Sequence, residues 1–378
     1  MRKWCFAFIS TLLVLQFLPA SAAIRDAAVA HAGDQCLRAG KIAQGRASDG
    51  SNLVCMKSTL GSSKGELTWW YSKLTPIKLF EIIAPSESRN SDSPEVVASR
   101  SGDRVGNLIG AALKSEELVK DFSSKNFSGG SGTWALATFQ SYKNRLATSF
   151  VGSQALINGL VTTKSALKLS ESKAIAQLFT EYEAVAVPIN SKFQTLDQLI
   201  TEIKLNPKSM TFVGGSAGGV DQVFMAKIFN ELGLDPNIGN FSPQNSNVDL
   251  LAKTLSDKNS VALSSSGTFV QLVASRKMRI LGVASPSKLP WSTAKTLQQQ
   301  NLNIIYGNWY GIWVPPLLSD AETTNFIHLL DVFQNSKVWA KALSDNYWSA
   351  AYVGKVDFEA QIEQQTIETR AILQQLGF

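Results

Sequence analysis

The stretch FVGGSAGGVDQVFMAKIFNELGLDP, residues 212–236, decides the fold. Its apolar start reads as the end of a strand. Glycines follow at Gly214, Gly215, Gly218 and Gly219, around Ser216 and Ala217, and Asp221 stands just beyond them. From there Val223, Phe224, Ile228, Phe229 and Leu232 recur on one helical face. Strand, bare loop and helix in succession make one unit of an alternating α/β chain. A helix N-terminus carries unpaired N–H groups and partial positive charge. Glycines let that backbone close on a ligand, so the stretch is a candidate seat for a carboxylate or phosphate. The plain alternative is a strand-to-helix turn, with Asp221 as its cap.

The same device recurs at NFSGGSGTWAL (126–136), with Gly129, Gly130, Ser131, Gly132 and Thr133 before a helical pattern. A weaker copy is SSSGTF (264–269), where the hydroxyls of Ser264, Ser265 and Ser266 precede a helix start. None matches a nucleotide site. GGSAGG lacks the lysine of G-x-x-x-x-G-K-[ST], and no G-x-G-x-x-G with a later acidic residue follows the first strand.

Further apolar runs bounded by turn residues predict strands at IKLFEIIAP (77–85), LVKDFSSKNF (118–127), RLATSFVGS (145–153), YEAVAVPI (182–189) and RILGVAS (279–285). Helical spacing falls on residues 94–118 and on TLDQLITEIKLNP, with Thr195 or Asp197 near its start and Pro207 past its end. Two helices are expected in the tail, over 319–345 and 357–376. The alternation implies a parallel α/β architecture. No repeat of 20–50 residues is evident. No linker separates sequential domains, which favours two lobes whose strands cross, with a cleft between them.

Composition bounds the function. The chain has 378 residues, 44% of them apolar, enough for two cored domains. Its net charge of +6 permits an anionic ligand, but no dense Lys/Arg run points to nucleic acid. Residues 1–23 read as a signal peptide: Arg2 and Lys3, then WCFAFISTLLVLQFL, then PASAA with cleavage after Ala22 or Ala23. An uncleaved anchor is the other reading. The mature protein is therefore expected to be exported.

Cleavage leaves Cys36 and Cys55, an even pair that predicts a disulfide in an exported chain. A two-cysteine metal site with His31 is the alternative, and it lacks ligands. Residues 24–75 read as a small stapled β module ending at Trp69 and Trp70, either a contact module or a stabilising add-on. Only His31 and His328 are present, and His328 sits in the helix-like NFIHLLDVF as a packed or surface residue. No Ser-His-Asp set, metal spacing or cofactor motif is found, so neither an enzyme nor a cofactor is expected. Asp221 as a general base is weaker than Asp221 as a cap.

Five segments in order carry a family resemblance. NFSGGSGTWALATF looks like an N-x-PGAGG-x-x-G segment, and FVGGSAGGVDQVFMAKIFNELGLDP resembles a GGSxGGxDH loop and helix. LVASRKMRILGVASPSKLP looks like an AGKLRALAVSSPxRL strand, NWYGIWVPPLLSDAE resembles the NWRGxxAPPGxSD crossover, and NSKVWAKALSDNYWSAAYVGKVDFEAQIEQQ the closing helices. Over about 300 residues from IKLFEIIAP to the C-terminus, the chain thus resembles the substrate-binding receptors of tripartite tricarboxylate transporters, the TctC or Bug family.

That resemblance implies a two-lobed periplasmic-binding-protein-like α/β fold, with lobe 1 over 76–187 and 309–378 and lobe 2 over 188–308. It also implies capture of a small di- or tricarboxylate-like anion for a large and a small membrane transport subunit, by a monomer. An exported sensing or adhesion module is the alternative. The cleft would be lined by the loop from Ser86, by Ser131, Gly132 and Thr133, by Ser149 to Ser153, and by Gly214, Gly215, Ser216, Gly218, Gly219 and Asp221. Ser264, Ser265, Ser266 and on to Thr268, and Asn308, Trp309 and Tyr310 would complete it. The chain departs from the family pattern in the glycine-free SESRNSDSPE (86–95), in Gln222 where His is frequent, in Tyr310 where Arg is common, and in QNSNVD (244–249).

Overall fold

The computed structural model describes residues 29–45, 50–86, 101–143 and 148–378, with burial of individual side chains in the helix at Ser101 described from Arg104. The expected export signal, residues 1–23, and most of the loop after Ser86 lie outside the described residues.

In the N-terminal segment β1 (Val29–Ala30), β2 (Ile42–Gly45), β3 (Asn52–Lys57) and β4 (Leu67–Trp70) form a four-stranded sheet in that order. Next come β5 (Ile77–Ser86), α1 (Ser101–Ser115), β6 (Val119–Ser128), α2 (Thr133–Ser141), β7 (Thr148–Ser153), α3 (Gln154–Thr162) and the long β8 (Lys173–Pro188). They are followed by α4 (Leu196–Leu205), β9 (Thr211–Gly214), α5 (Val220–Glu231), β10 (Phe241–Pro243), α6 (Asn247–Ser256), β11 (Ser260–Ser265), α7 (Ser266–Ala274) and β12 (Met278–Val283). The chain closes with β13 (Gly307–Val314), α8 (Asp320–Gln334), α9 (Lys337–Asp345), β14 (Ser349–Gly354) and α10 (Lys355–Gln375).

Strand β8 organises the molecule. Its residues are buried almost throughout, so both faces are covered, with Gln177, Thr180 and Glu183 as buried polar residues within the apolar run. The first part pairs antiparallel with β13, from Val314↔Lys173 to Gly307↔Tyr182, and with β14. The last part pairs antiparallel with β11 and β12, Ser265 facing Glu183 and Met278 facing Pro188. Either side of this shared strand is parallel sheet: β6–β5–β7 on one side, β10–β9–β11 on the other. The path runs β10-β9-β11-β8-β13-β7-β5-β6. The strand expected at 182–189 is therefore the end of a longer one, and the crossing strands inferred from the missing linker are β8 and β13.

Two changes concern the tail. The helix expected over 319–345 is two helices. Ser336 breaks the run because its hydroxyl accepts the Trp339 N–H and starts α9 afresh. The strand β14 was not anticipated; it exists by pairing with β8.

The N-terminal sheet is stapled by the Cys36–Cys55 disulfide, with Cα atoms 5.8 Å apart. Trp69 and Trp70 are buried, as a stabilising add-on rather than a contact module would place them. They share one apolar cluster with Phe80, Phe326, Ile327 and Leu330 of the following α/β body. The Tyr71 ring stacks on His328 at 3.7 Å, and its hydroxyl donates to Asp331 Oδ2 at 2.7 Å. Asn335 Nδ2 donates to Ala32 O at 3.1 Å. His328 is thus a packed residue, and the segment is part of the body's core.

Candidate functional site

Helix starts fall into two sets. Away from the crossing strands, Thr195, Ser246, Ser319 and Ser336 cap α4, α6, α8 and α9 with their own side chains, Ser319 in a reciprocal box with Glu322. The helices that follow the glycine and serine loops are different. Gly132, Ser153, Gly219 and Ser265 precede α2, α3, α5 and α7, and none provides a side-chain cap. The last helix, α10, also starts uncapped, at Gly354 behind β14.

Contacts link three of those starts, at α2, α3 and α5. Ser131 is exposed at φ +52° between Gly130 and Gly132, both also left-handed. A Cβ at Gly132 would meet Pro85 and Leu156 at 3.1–3.3 Å, and one at Gly159 would meet Ser131 at 2.5 Å, so loop 129–133 lies against α3. Asn308 Oδ1 accepts the Ala155 N–H at 3.1 Å, supplying α3 with a cap from β13. Asn158 Nδ2 donates to Gly218 O at 3.0 Å, which joins α3 to the loop before α5. A Cβ at Gly218 would meet Thr162 at 2.5 Å, so the end of α3 and the loop before α5 touch there.

The expected residues divide accordingly. Gly214 to Gly219, Ser131 to Thr133, Ser153, Asn308 and Asp221 form a continuous set. Ser264 and Ser265 pair through Thr268, at 3.4 and 3.1 Å, and Ser266 Oγ accepts from Trp291 Nε1 at 3.2 Å, so those hydroxyls already have partners. Ser149 is buried inside β7, its hydroxyl 3.5 Å from Glu81 O. Trp309 is buried in an apolar cluster with Trp313 and Phe358, its indole N–H turned to Gln154 and Gln365. Ser86 closes β5 opposite Ser128.

The glycine loop itself holds a side-chain anion. Gly215 N–H donates to Asp221 Oδ2 at 2.6 Å, and Gly218 N–H to Gln222 Oε1 at 2.8 Å. Asp221 therefore caps the loop before its own helix, the bland reading of that residue, and occupies one amide offered to a ligand.

Sequence reasoning missed Glu183, Tyr306 and Asn158. Glu183 is buried at the point where β8 passes between its two sets of partners, hydrogen-bonded to Asp221. Burial drives its carboxyl well above the usual range, and the charges of Asp221 and Glu181 act in the same direction. Burial and then the Glu183 and Asp221 charges likewise push the Tyr306 phenol well up. Tyr306 O accepts the Glu183 N–H at 3.1 Å, which sets the two side by side. Glu181 accepts from Trp348 Nε1 at 2.6 Å and from the Tyr310 hydroxyl at 3.3 Å. The available signal was one acid inside the apolar YEAVAVP.

A concavity of about 290 Å³ between Ile189, Val270 and Trp291 contains none of the expected residues. Among the described residues no group of three metal-ligating side chains occurs. No described helix is long and apolar enough to cross a membrane.

No protein-family profile matches the chain, and no curated sequence matches it. Solved structures do. A TctC solute-binding protein from Polaromonas superposes at TM-score 0.65 with 15% identity, over 79% of this chain and 99% of that one. MatC from Rhodopseudomonas palustris with bound malate gives 0.60 with 13% identity, over 79% and 99%. The fold is that of the TctC and Bug solute-binding receptors. The periplasmic binding protein BugD gives 0.60 at 11% identity, over 80% and 99%.

Proposed function

We propose that the chain is an exported receptor that captures a small organic acid between its lobes, for the membrane subunits of a tripartite tricarboxylate transporter. One observation carries the reading: four helices begin without a cap of their own, and three of them, α2, α3 and α5, begin on adjoining loops. Such starts accept a carboxylate by backbone N–H groups and dipole. The malate in MatC shows that this fold accommodates a dicarboxylate in that protein. Lobe 1 comprises 76–187 and 309–378, and lobe 2 comprises 188–308. The carboxylate is held by the loops at Ser131–Thr133, Ser153 and Ser216–Gly219, with Ser264–Ser266 and Asn308 at the margin. Ser86, Ser149 and Trp309 belong to the supporting structure of the same site. The protein acts as a periplasmic monomer, without a catalytic step.

Calorimetric titration with succinate, malate, adipate and citrate tests the reading. Saturable one-site binding of at least one supports it, and flat titrations with all small acids contradict it. The adhesion alternative loses its motive, since Trp69 and Trp70 are buried.

A further inference from the structure

We propose that Phe378 is a positioning residue for the glycine loop: its ring braces Gly218 and holds residues 215–219 in the form that accepts a carboxylate. The inference rests on the carboxylate-receptor reading and adds the element that keeps the loop in place.

The end of α10 is built to aim this ring. Gly377 is left-handed at φ +90°. Its N–H donates to Gln374 O at 3.1 Å, and the Phe378 N–H donates to Leu373 O at 3.0 Å. These two bonds make a Schellman turn, so Phe378 folds back instead of continuing the helix. The helix end is itself anchored on α5 and the segment after it. Leu373 is buried in one apolar cluster with Phe224 and Phe229, and the half-buried Phe378 packs against that cluster. The Gln375 and Asn230 side chains exchange bonds of 3.0 and 3.1 Å, and Gln375 O accepts from Asn237 Nδ2 at 2.8 Å.

Residues of α3, of α5 and of the turn after α10 converge on Gly218. It is left-handed at φ +69°. Its N–H donates to Gln222 Oε1 at 2.8 Å, and its carbonyl accepts from Asn158 Nδ2 at 3.0 Å. A Cβ there would lie 2.5 Å from the Thr162 methyl and 3.2 Å from the Phe378 ring, so methyl and ring close the side-chain face. Gly219, the next residue, opens α5 without a side-chain cap. A loop held in its bound form before the ligand arrives spares the ordering cost of binding. The ring therefore acts on affinity through Gly218.

Hydrogen–deuterium exchange and calorimetric titration with succinate, malate, adipate and citrate, both on the intact protein, test this. In Phe378→Ala the amides of residues 215–219 should exchange about tenfold faster while those of β8 keep their protection. The tightest-bound acid should lose about tenfold in affinity. Phe378→Leu, which keeps apolar bulk, should restore most of both. Gly377→Ala keeps the ring and adds a methyl with nothing within 4 Å, but strains the left-handed turn, and it should reproduce the loss. Unchanged loop exchange in Phe378→Ala overturns the proposal. Faster exchange spread evenly over β8 and the loop also overturns it, as the mark of a residue that only fills the core. A loosened loop with unchanged affinity overturns the link to binding. If none of the four acids binds the wild type, the carboxylate reading falls, and the exchange pattern still decides whether Phe378 holds the loop.

Discussion

At Gly215 a side chain would meet only one neighbour. An added Cβ lies 3.3 Å from Asp221 Oδ2 and near nothing else. Gly215→Val should therefore fold, push the Asp221 carboxylate off the amide, and cost about 1–2 kcal/mol for the disturbed charged hydrogen bond. Ligand affinity should drop by about tenfold or more, because the loop can no longer close on its guest. Calorimetry on wild type and variant checks this, and equal affinities would reduce the loop to a turn. Glu183 yields a second prediction, in pH. Its folded value is raised above the ordinary 4.5, so its contribution is complete below that value and is lost as pH climbs toward the folded one. Denaturant stability of the wild type should decline from pH 5 to 8, with a slope from this group of at most about 1.4 kcal/mol per pH unit. Glu183→Gln should flatten that decline, and parallel curves would show that the carboxyl does not titrate with folding. The glycine loop was legible because a run of missing side chains has few explanations. Glu183 was not, because pattern reading treats one acid in an apolar strand as noise, and only the fold reveals that Asp221 faces it.

Elements follow the same logic of local signal against tertiary context. The disulfide was legible from two cysteines in an exported chain. Replacing both with alanine should lower stability by about 3 kcal/mol, measured by denaturant melts with and without reductant. A variant as stable as oxidised wild type would mean the staple adds nothing to the packed sheet. Tyr71→Phe removes the donor to the buried Asp331, whose carboxyl burial already pushes upward. That change should cost about 1–3 kcal/mol. The strands bounded by Pro, Ser and Gly were readable from composition. The helix break at Ser336 is a cap signal that the apolar periodicity masked, since α8 and α9 carry one apolar pattern across it. Strand β14 had no local signal to find, because its partner β8 lies far away in sequence and the pairing is antiparallel across the body.

For the whole molecule, the crossing strands were deducible from α/β alternation without a linker. What escaped was how far the parts share cores. Trp70 and Tyr71 of the stapled sheet belong with Phe326 and Phe333, and Ile372 and Leu373 of α10 pack with Phe224 and Phe229 of α5. Burial of this kind depends on three-dimensional neighbours that periodicity does not encode. Deleting residues 24–75 should consequently strip a face from the core and lower Tm by more than about 10 °C or yield insoluble protein, since several buried aromatics each contribute about 1.5–3 kcal/mol. An unchanged melt would show an independent add-on. The central claim, that the adjoining uncapped helix starts grip a small organic acid, is met most directly by a thermal-shift series on the folded, disulfide-bonded protein with amino acids and di- and tricarboxylates. At about a hundred times Kd a true ligand adds about 2.7 kcal/mol, and Tm should rise by several degrees for at least one of them. A Tm that stays put with every small acid would contradict the account.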